Sequence, residues 1–169
     1  MITTANGVLQ VDIQTPSAAG VSRNTYSQFD VDNRGAILNN SRVDVQSQLG
    51  GWITGNQRLN DGTARIILNE VNSSAASHLN GYIEVAGDRA QVVIANPAGI
   101  SCAGCGFINA DRATLTTGAP ILNEGRLDGY AVSRGEVSIQ ARAWTAAAPP
   151  TPTSSPARCA STPASGPTT

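Results

Sequence analysis

Lysine is absent from this chain, aromatic residues make up 4%, charged residues 14%, and histidine occurs once. Each shortage removes a class of function. All eleven basic residues are arginine and they face twelve acids, leaving a net charge of −1. That near balance makes no electrostatic case for nucleic acid or an anionic membrane as partner. Uninterrupted apolar runs stop at four to five residues, as at 92–95, against the roughly 20 that a bilayer-spanning helix needs. The lone histidine, in Ala75-Ala76-Ser77-His78-Leu79-Asn80, lies beside a turn, and the sequence has no Gly-x-Ser-x-Gly elbow. His78 therefore reads as an exposed loop residue and not as a member of a hydrolase triad. Residues 1–7 show neither the basic nor the apolar stretch of an export signal, so the chain is expected to be either cytosolic or a piece of something longer.

Glycine and asparagine are plentiful, with 17 and 13 copies in 169 residues. They interrupt every window before apolar residues can recur over three helical turns. Alternation recurs instead. Leu9, Val11 and Ile13 alternate with polar residues, Ile83 and Val85 flank Glu84, and Val137 and Ile139 flank Ser138, each set placing aliphatic side chains on one face of a strand. Turn pairs such as Asn6-Gly7, Asp61-Gly62, Asn80-Gly81 and Asp128-Gly129 separate these short runs, which predicts an all-β domain. Ile-Leu-Asn occurs at 37–39, 67–69 and 121–123, spaced by 30 and 54 residues. In a parallel β-helix the two aliphatics are expected to stack inside successive coils, with the asparagine at a corner where it tolerates the left-handed conformation. The scarcity of aromatics also favours a narrow aliphatic coil over a sandwich.

Near residue 142 the composition changes to Ala, Pro, Thr and Ser. The expected organisation is a β-domain over 1–141 and a disordered tail over 142–169. The abundance of Ala, Pro and Arg fits out-of-frame translation of a GC-rich gene in that tail. Asp30, Asp32, Asp44 and Glu70 are the acids that a carbohydrate-active β-helix enzyme would gather on one face, but each sits at or near a turn, where a solvated structural role is expected. No catalytic residue is assigned. Cys102-Ala103-Gly104-Cys105 supplies half a zinc site at most, and no helix start follows it as a redox motif requires. A local disulfide, persisting in an oxidising compartment, suits it best.

Taken in order, the segments Asp30-Val31-Asp32-Asn33-Arg34-Gly35, Ile66-Ile67-Leu68-Asn69-Glu70-Val71, Asn80-Gly81-Tyr82-Ile83-Glu84-Val85, Asn96-Pro97-Ala98-Gly99-Ile100-Ser101-Cys102 and Ala113-Thr114-Leu115-Thr116-Thr117-Gly118 closely resemble the N-terminal two-partner secretion domain. That domain opens filamentous haemagglutinins, two-partner haemolysins and contact-dependent growth inhibition proteins. The likeness covers residues 5 to about 140. It implies a right-handed parallel β-helix with an N-terminal cap, truncated at its C-terminal end. It also implies recognition by the periplasmic domains of an outer-membrane transporter, followed by export to the cell surface. No metal, cofactor or nucleic acid is implied, and any contact with a host or neighbouring cell would belong to the missing parent chain.

Two signature turns of that family map onto this sequence. Asn96, Pro97, Gly99 and Ile100 match one of them, with Ala98 in place of an asparagine. Asn56 and Leu59 match the other, with Gln57 in place of the proline and so without its φ lock. These turns are expected to shape the transporter-binding surface. The Cys-x-x-Cys resembles a surface disulfide of Cys102 with Cys105, carried by the haemolysin and growth-inhibition branches. The rival readings are a carbohydrate-active β-helix enzyme, which requires the four acids to converge, and a glycan-binding adhesin module.

Overall fold

A computed structural model of the chain describes residues 1–140 and the strand Cys159–Thr162. The alternating segments wind into four coils. The first holds β1 (Ile2–Thr3), β2 (Leu9–Asp12) and β3 (Val21–Tyr26). The second holds β4 (Ala36–Asn40), a hairpin of β5 (Val45–Ser47) and β6 (Gly51–Ile53), then β7 (Ile66–Val71) and β8 (Ser77–Leu79). β9 (Tyr82–Gly87), β10 (Ala90–Ala95) and β11 (Ile100–Ala103) form the third. The fourth comprises β12 (Gly106–Ile108), β13 (Ala110–Thr116), a second hairpin of β14 (Ala119–Asn123) and β15 (Arg126–Ala131), and β16 (Val137–Gln140). The separate strand at Cys159–Thr162 is β17.

Stacking the coils generates three sheets. The first runs β1-β2-β4-β9-β12, the second β3-β7-β10-β13-β17 and the third β8-β11-β16. All neighbours are parallel except β1 with β2, which closes the N-terminal end as a short antiparallel cap, and the two hairpins. Four residues of the stretch expected to lack structure thus form a strand, with Cys159 to Thr162 in register with Ala113 to Thr116. The other residues of the expected tail lie outside the described ones.

The coil interior is aliphatic, as the alternation predicted. Val11, Ile13, Ile67, Ile83, Val85, Val92, Ile94 and Leu115 belong to one continuous core. Among the described residues, every buried polar side-chain atom except Thr117 Oγ1 finds a hydrogen-bond partner. Tyr26 donates to Asn69 Oδ1 at 3.0 Å, and burial pushes the pKa of that phenol up.

The Ile-Leu-Asn triplets do not stack as expected. They lie in three different sheets: the first in β4, the second in β7, and the third in the second hairpin. Adjacent strand residues point to opposite faces, so only one aliphatic of each solenoid pair can turn inward. Leu38 and Ile67 do so. Ile37 faces outward and is covered by Val45, Leu49 and Ile53 of the first hairpin region. Leu68 also faces outward and joins Val21, Val93 and Ala95 beneath Leu122, Leu127 and Tyr130 of the second hairpin. Burying such a side chain contributes about 1.5–3 kcal/mol before entropy is counted. The two insertions therefore act as lids on the outer faces of the first two sheets. The left-handed asparagine is Asn109 (φ 58°), whose Nδ2 donates to the carbonyls of Val85 and Gly87.

Candidate recognition surface

The two signature turns sit at different corners of the solenoid. Residues 56–59 lead from the first hairpin toward β7, and Gln57–Leu59 form a single 3-10 turn. Residues 96–99 join β10 to β11. In the first turn Asn56 Oδ1 accepts from the N–H of Arg58 at 3.0 Å, while Nδ2 donates to the carbonyls of Ile13 at 2.9 Å and Asn39 at 3.1 Å. In the second, Asn96 Oδ1 accepts from the N–H of Ala98 at 2.9 Å, and Nδ2 donates to the Ala75 carbonyl and Ser77 Oγ, both at 2.9 Å. The backbone closes alike, Leu59 N–H to Asn56 O at 3.2 Å and Gly99 N–H to Asn96 O at 3.0 Å. One amide side chain thus caps its own turn and ties it to neighbouring strands.

These asparagines are hidden. Asn56 is 2% exposed and Asn96 0%, and Leu59 and Ile100, which follow them into the core, are 1% and 2%. Gly99 is buried at φ +119°, a conformation that an L side chain rarely adopts. What reaches the surface is Gln57 and Arg58 from one turn, and the partly exposed Pro97 and Ala98 from the other.

Cys102 and Cys105 are joined by a disulfide across the corner between β11 and β12, with Cα atoms 5.3 Å apart. Cys102 is packed in the core and Cys105 against it. The first hairpin is anchored by Glu84, a residue 4% exposed whose carboxylate accepts from the N–H groups of Gln48 at 2.7 Å and Leu49 at 2.8 Å. Sequence reasoning missed this anchor because Glu84 reads there only as the polar member of an alternating strand.

The acids of the enzyme reading are engaged separately. Asp30 Oδ1 accepts from the His78 N–H at 2.8 Å, Asp32 Oδ1 from the Arg34 N–H at 2.9 Å, and Asp44 Oδ1 from the Gly55 N–H at 2.9 Å. Glu70 forms an ion pair with Arg23 at 2.9 Å. Asp30 and Asp32 border one shallow cavity, which neither Asp44 nor Glu70 reaches. His78 is not in a loop: it is the outward-facing middle residue of β8, because the flanking Ser77 and Leu79 turn inward.

The stacked coils and the antiparallel cap define the class, a right-handed parallel β-helix. The profile of the TPS secretion domain matches residues 1–157. The chain is 66% identical over 142 residues to the toxin CdiA of Yersinia pestis, covering 84% of this chain and 4% of that protein. It is 51% identical over 141 residues to the tRNA nuclease CdiA-2 of Burkholderia pseudomallei strain 1026b, covering 82% and 4%. A crystal structure of a filamentous hemagglutinin secretion domain superposes with a TM-score of 0.78 at 42% identity, covering 82% of this chain and 46% of that one. The chain belongs to the TPS secretion domain family, and it spans about 4% of the length of these CdiA relatives.

Proposed function

We propose that this domain directs a large parent protein out of the cell by binding the periplasmic domains of an outer-membrane two-partner transporter, and that it catalyses no reaction itself. The observation that carries this reading is the shared architecture of the turns at 56–59 and 96–99. Two different sequences are held by the same buried amide bracket, and each presents a short exposed segment. An extended transporter segment would pair with an open sheet edge, main-chain hydrogen bonds giving affinity and the turns giving register. Coils that fold outside the cell, each templated on the one before it, would draw the chain outward without a nucleotide. The separate engagement of Asp30, Asp32, Asp44 and Glu70 supports a non-enzymatic role. Adhesion, haemolysis or toxin delivery would reside in the remainder of the parent.

The test is export from cells of a signal-bearing parent chain. Exchanging Asn96 and Pro97 together for alanine should block its appearance outside the cell. Undiminished export would remove the turns from the mechanism.

A further inference from the structure

Each turn stands beside an arginine that no acid among the described residues pairs with. Ion pairs among the described residues use Arg23, Arg89 and Arg126. Arg58, inside the first turn, is exposed and donates from Nη1 to the Asp12 carbonyl at 3.0 Å. It borders a groove of about 400 Å³. The Asp12 carboxylate on the same groove accepts Gln10 Nε2 and Asn39 Nδ2 on its Oδ1, both at 2.9 Å, and forms no ion pair with Arg58.

Arg134 reaches the second turn from the loop after β15. That loop is locked in place, for Ile100 N–H donates to the Glu136 carbonyl at 2.9 Å. Gly135, at φ +91°, comes so close that a Cβ there would lie 2.6 Å from the Pro97 oxygen. Arg134 is exposed and lines two adjoining grooves with Pro97, of about 250 and 270 Å³. Glu70, the acid on the second of these, is paired with Arg23. No Asp or Glu follows Glu136 in the sequence, so residues 137–169 hold no acidic side chain to neutralise Arg134.

We propose that Arg58 and Arg134 are the contact residues of the two turns, and that their partner is an acidic, extended segment of the transporter's periplasmic domains. This rests on the recognition reading above. The buried asparagines cannot touch a partner, whereas a guanidinium presented beside a shallow groove offers a planar fork that matches a carboxylate. The grooves are open and of side-chain size, which suits a strand laid across the corner rather than an enclosed small molecule. The asparagines then act as positioning residues for the arginines.

The experiment titrates this chain with the purified periplasmic domains of its cognate transporter, at low and at physiological ionic strength. Arg58→Glu and Arg134→Glu should each weaken binding about tenfold, the pair about a hundredfold, and the salt dependence should flatten. Arg58→Lys and Arg134→Lys keep the charge, lose the fork, and should each cost about threefold. Both arginines are exposed, so unchanged thermal unfolding should accompany these losses. Wild-type affinity and salt dependence in the double reversal, with weakened binding by Asn96→Ala, would overturn the arginine contact and leave the recognition reading standing. No binding by the wild-type chain while the parent is still exported would overturn both. Loss of binding to vesicles containing phosphatidylglycerol, with transporter binding intact, would assign the arginines to lipid and overturn the proposal.

Discussion

Asn56 and Asn96 occupy different corners, follow strands of different sheets and precede different residues, Gln57-Arg58-Leu59 in one case and Pro97-Ala98-Gly99 in the other. Each is nonetheless buried, closes the same turn through Oδ1 and reaches two acceptors on neighbouring segments through Nδ2. Proline is present in one turn and missing from the other without a change in this hydrogen-bond pattern. A ring that fixes φ lowers the entropy of the unfolded chain; it does not supply the donors that these acceptors need. The loss of the φ lock at 57 is therefore secondary to the retention of the amide. The turns differ in what supports them from outside: a hairpin anchored on Glu84 precedes the first, and a glycine-tight loop and a disulfide flank the second.

The largest effects should come from removing the shared element. Asn56→Ala and Asn96→Ala each delete three hydrogen bonds and orphan buried acceptors, so each should lower the unfolding free energy by about 2–4 kcal/mol. The two losses should agree within about 1 kcal/mol if the brackets are equivalent, as urea titration would show. Gly135→Ala touches only the second turn. Its Cβ would meet the Pro97 carbonyl in a left-handed backbone, and a loss of roughly 2–3 kcal/mol is expected. Hydrogen exchange should accelerate at the Ile100 amide and not at Arg58. Reducing the disulfide, which joins cysteines three residues apart, should cost about 2 kcal/mol by loop entropy. Exchange should again rise near 96–103 and leave 56–59 unchanged. Smallest of all is the proline swap. Gln57 sits at the first position of its 3-10 turn, so Gln57→Pro should stabilise by about 0.4–1 kcal/mol and Pro97→Gln should destabilise by a similar amount, read as opposite shifts in thermal unfolding.

Strand alternation made the coil interior legible, since Leu9, Val11, Ile13, Ile83 and Val85 turn inward where the period of two placed them. The outer faces were not legible. Ile37 and Leu68 look like further core residues, and only the three-dimensional return of the two hairpins shows that they pack against lids. The triplet containing Ile121 belongs to one of those lids, so its match with the other two reflects shared strand chemistry and not a shared position. The turn residues could be found through their motif letters, and the buried bracket follows from what an asparagine side chain can bond. Arg134 could not be found that way. Its place beside Pro97 depends on the loop after β15 closing on the turn, a contact between segments far apart in the sequence.

We propose that asparagine, and not proline, builds the turns through which the domain is recognised. Export of a signal-bearing parent chain should be measured for Asn96→Ala beside Pro97→Gln, each corrected for intracellular level. Asn96→Ala should abolish export while Pro97→Gln retains most of it. Loss of export in Pro97→Gln with normal export of Asn96→Ala would contradict it.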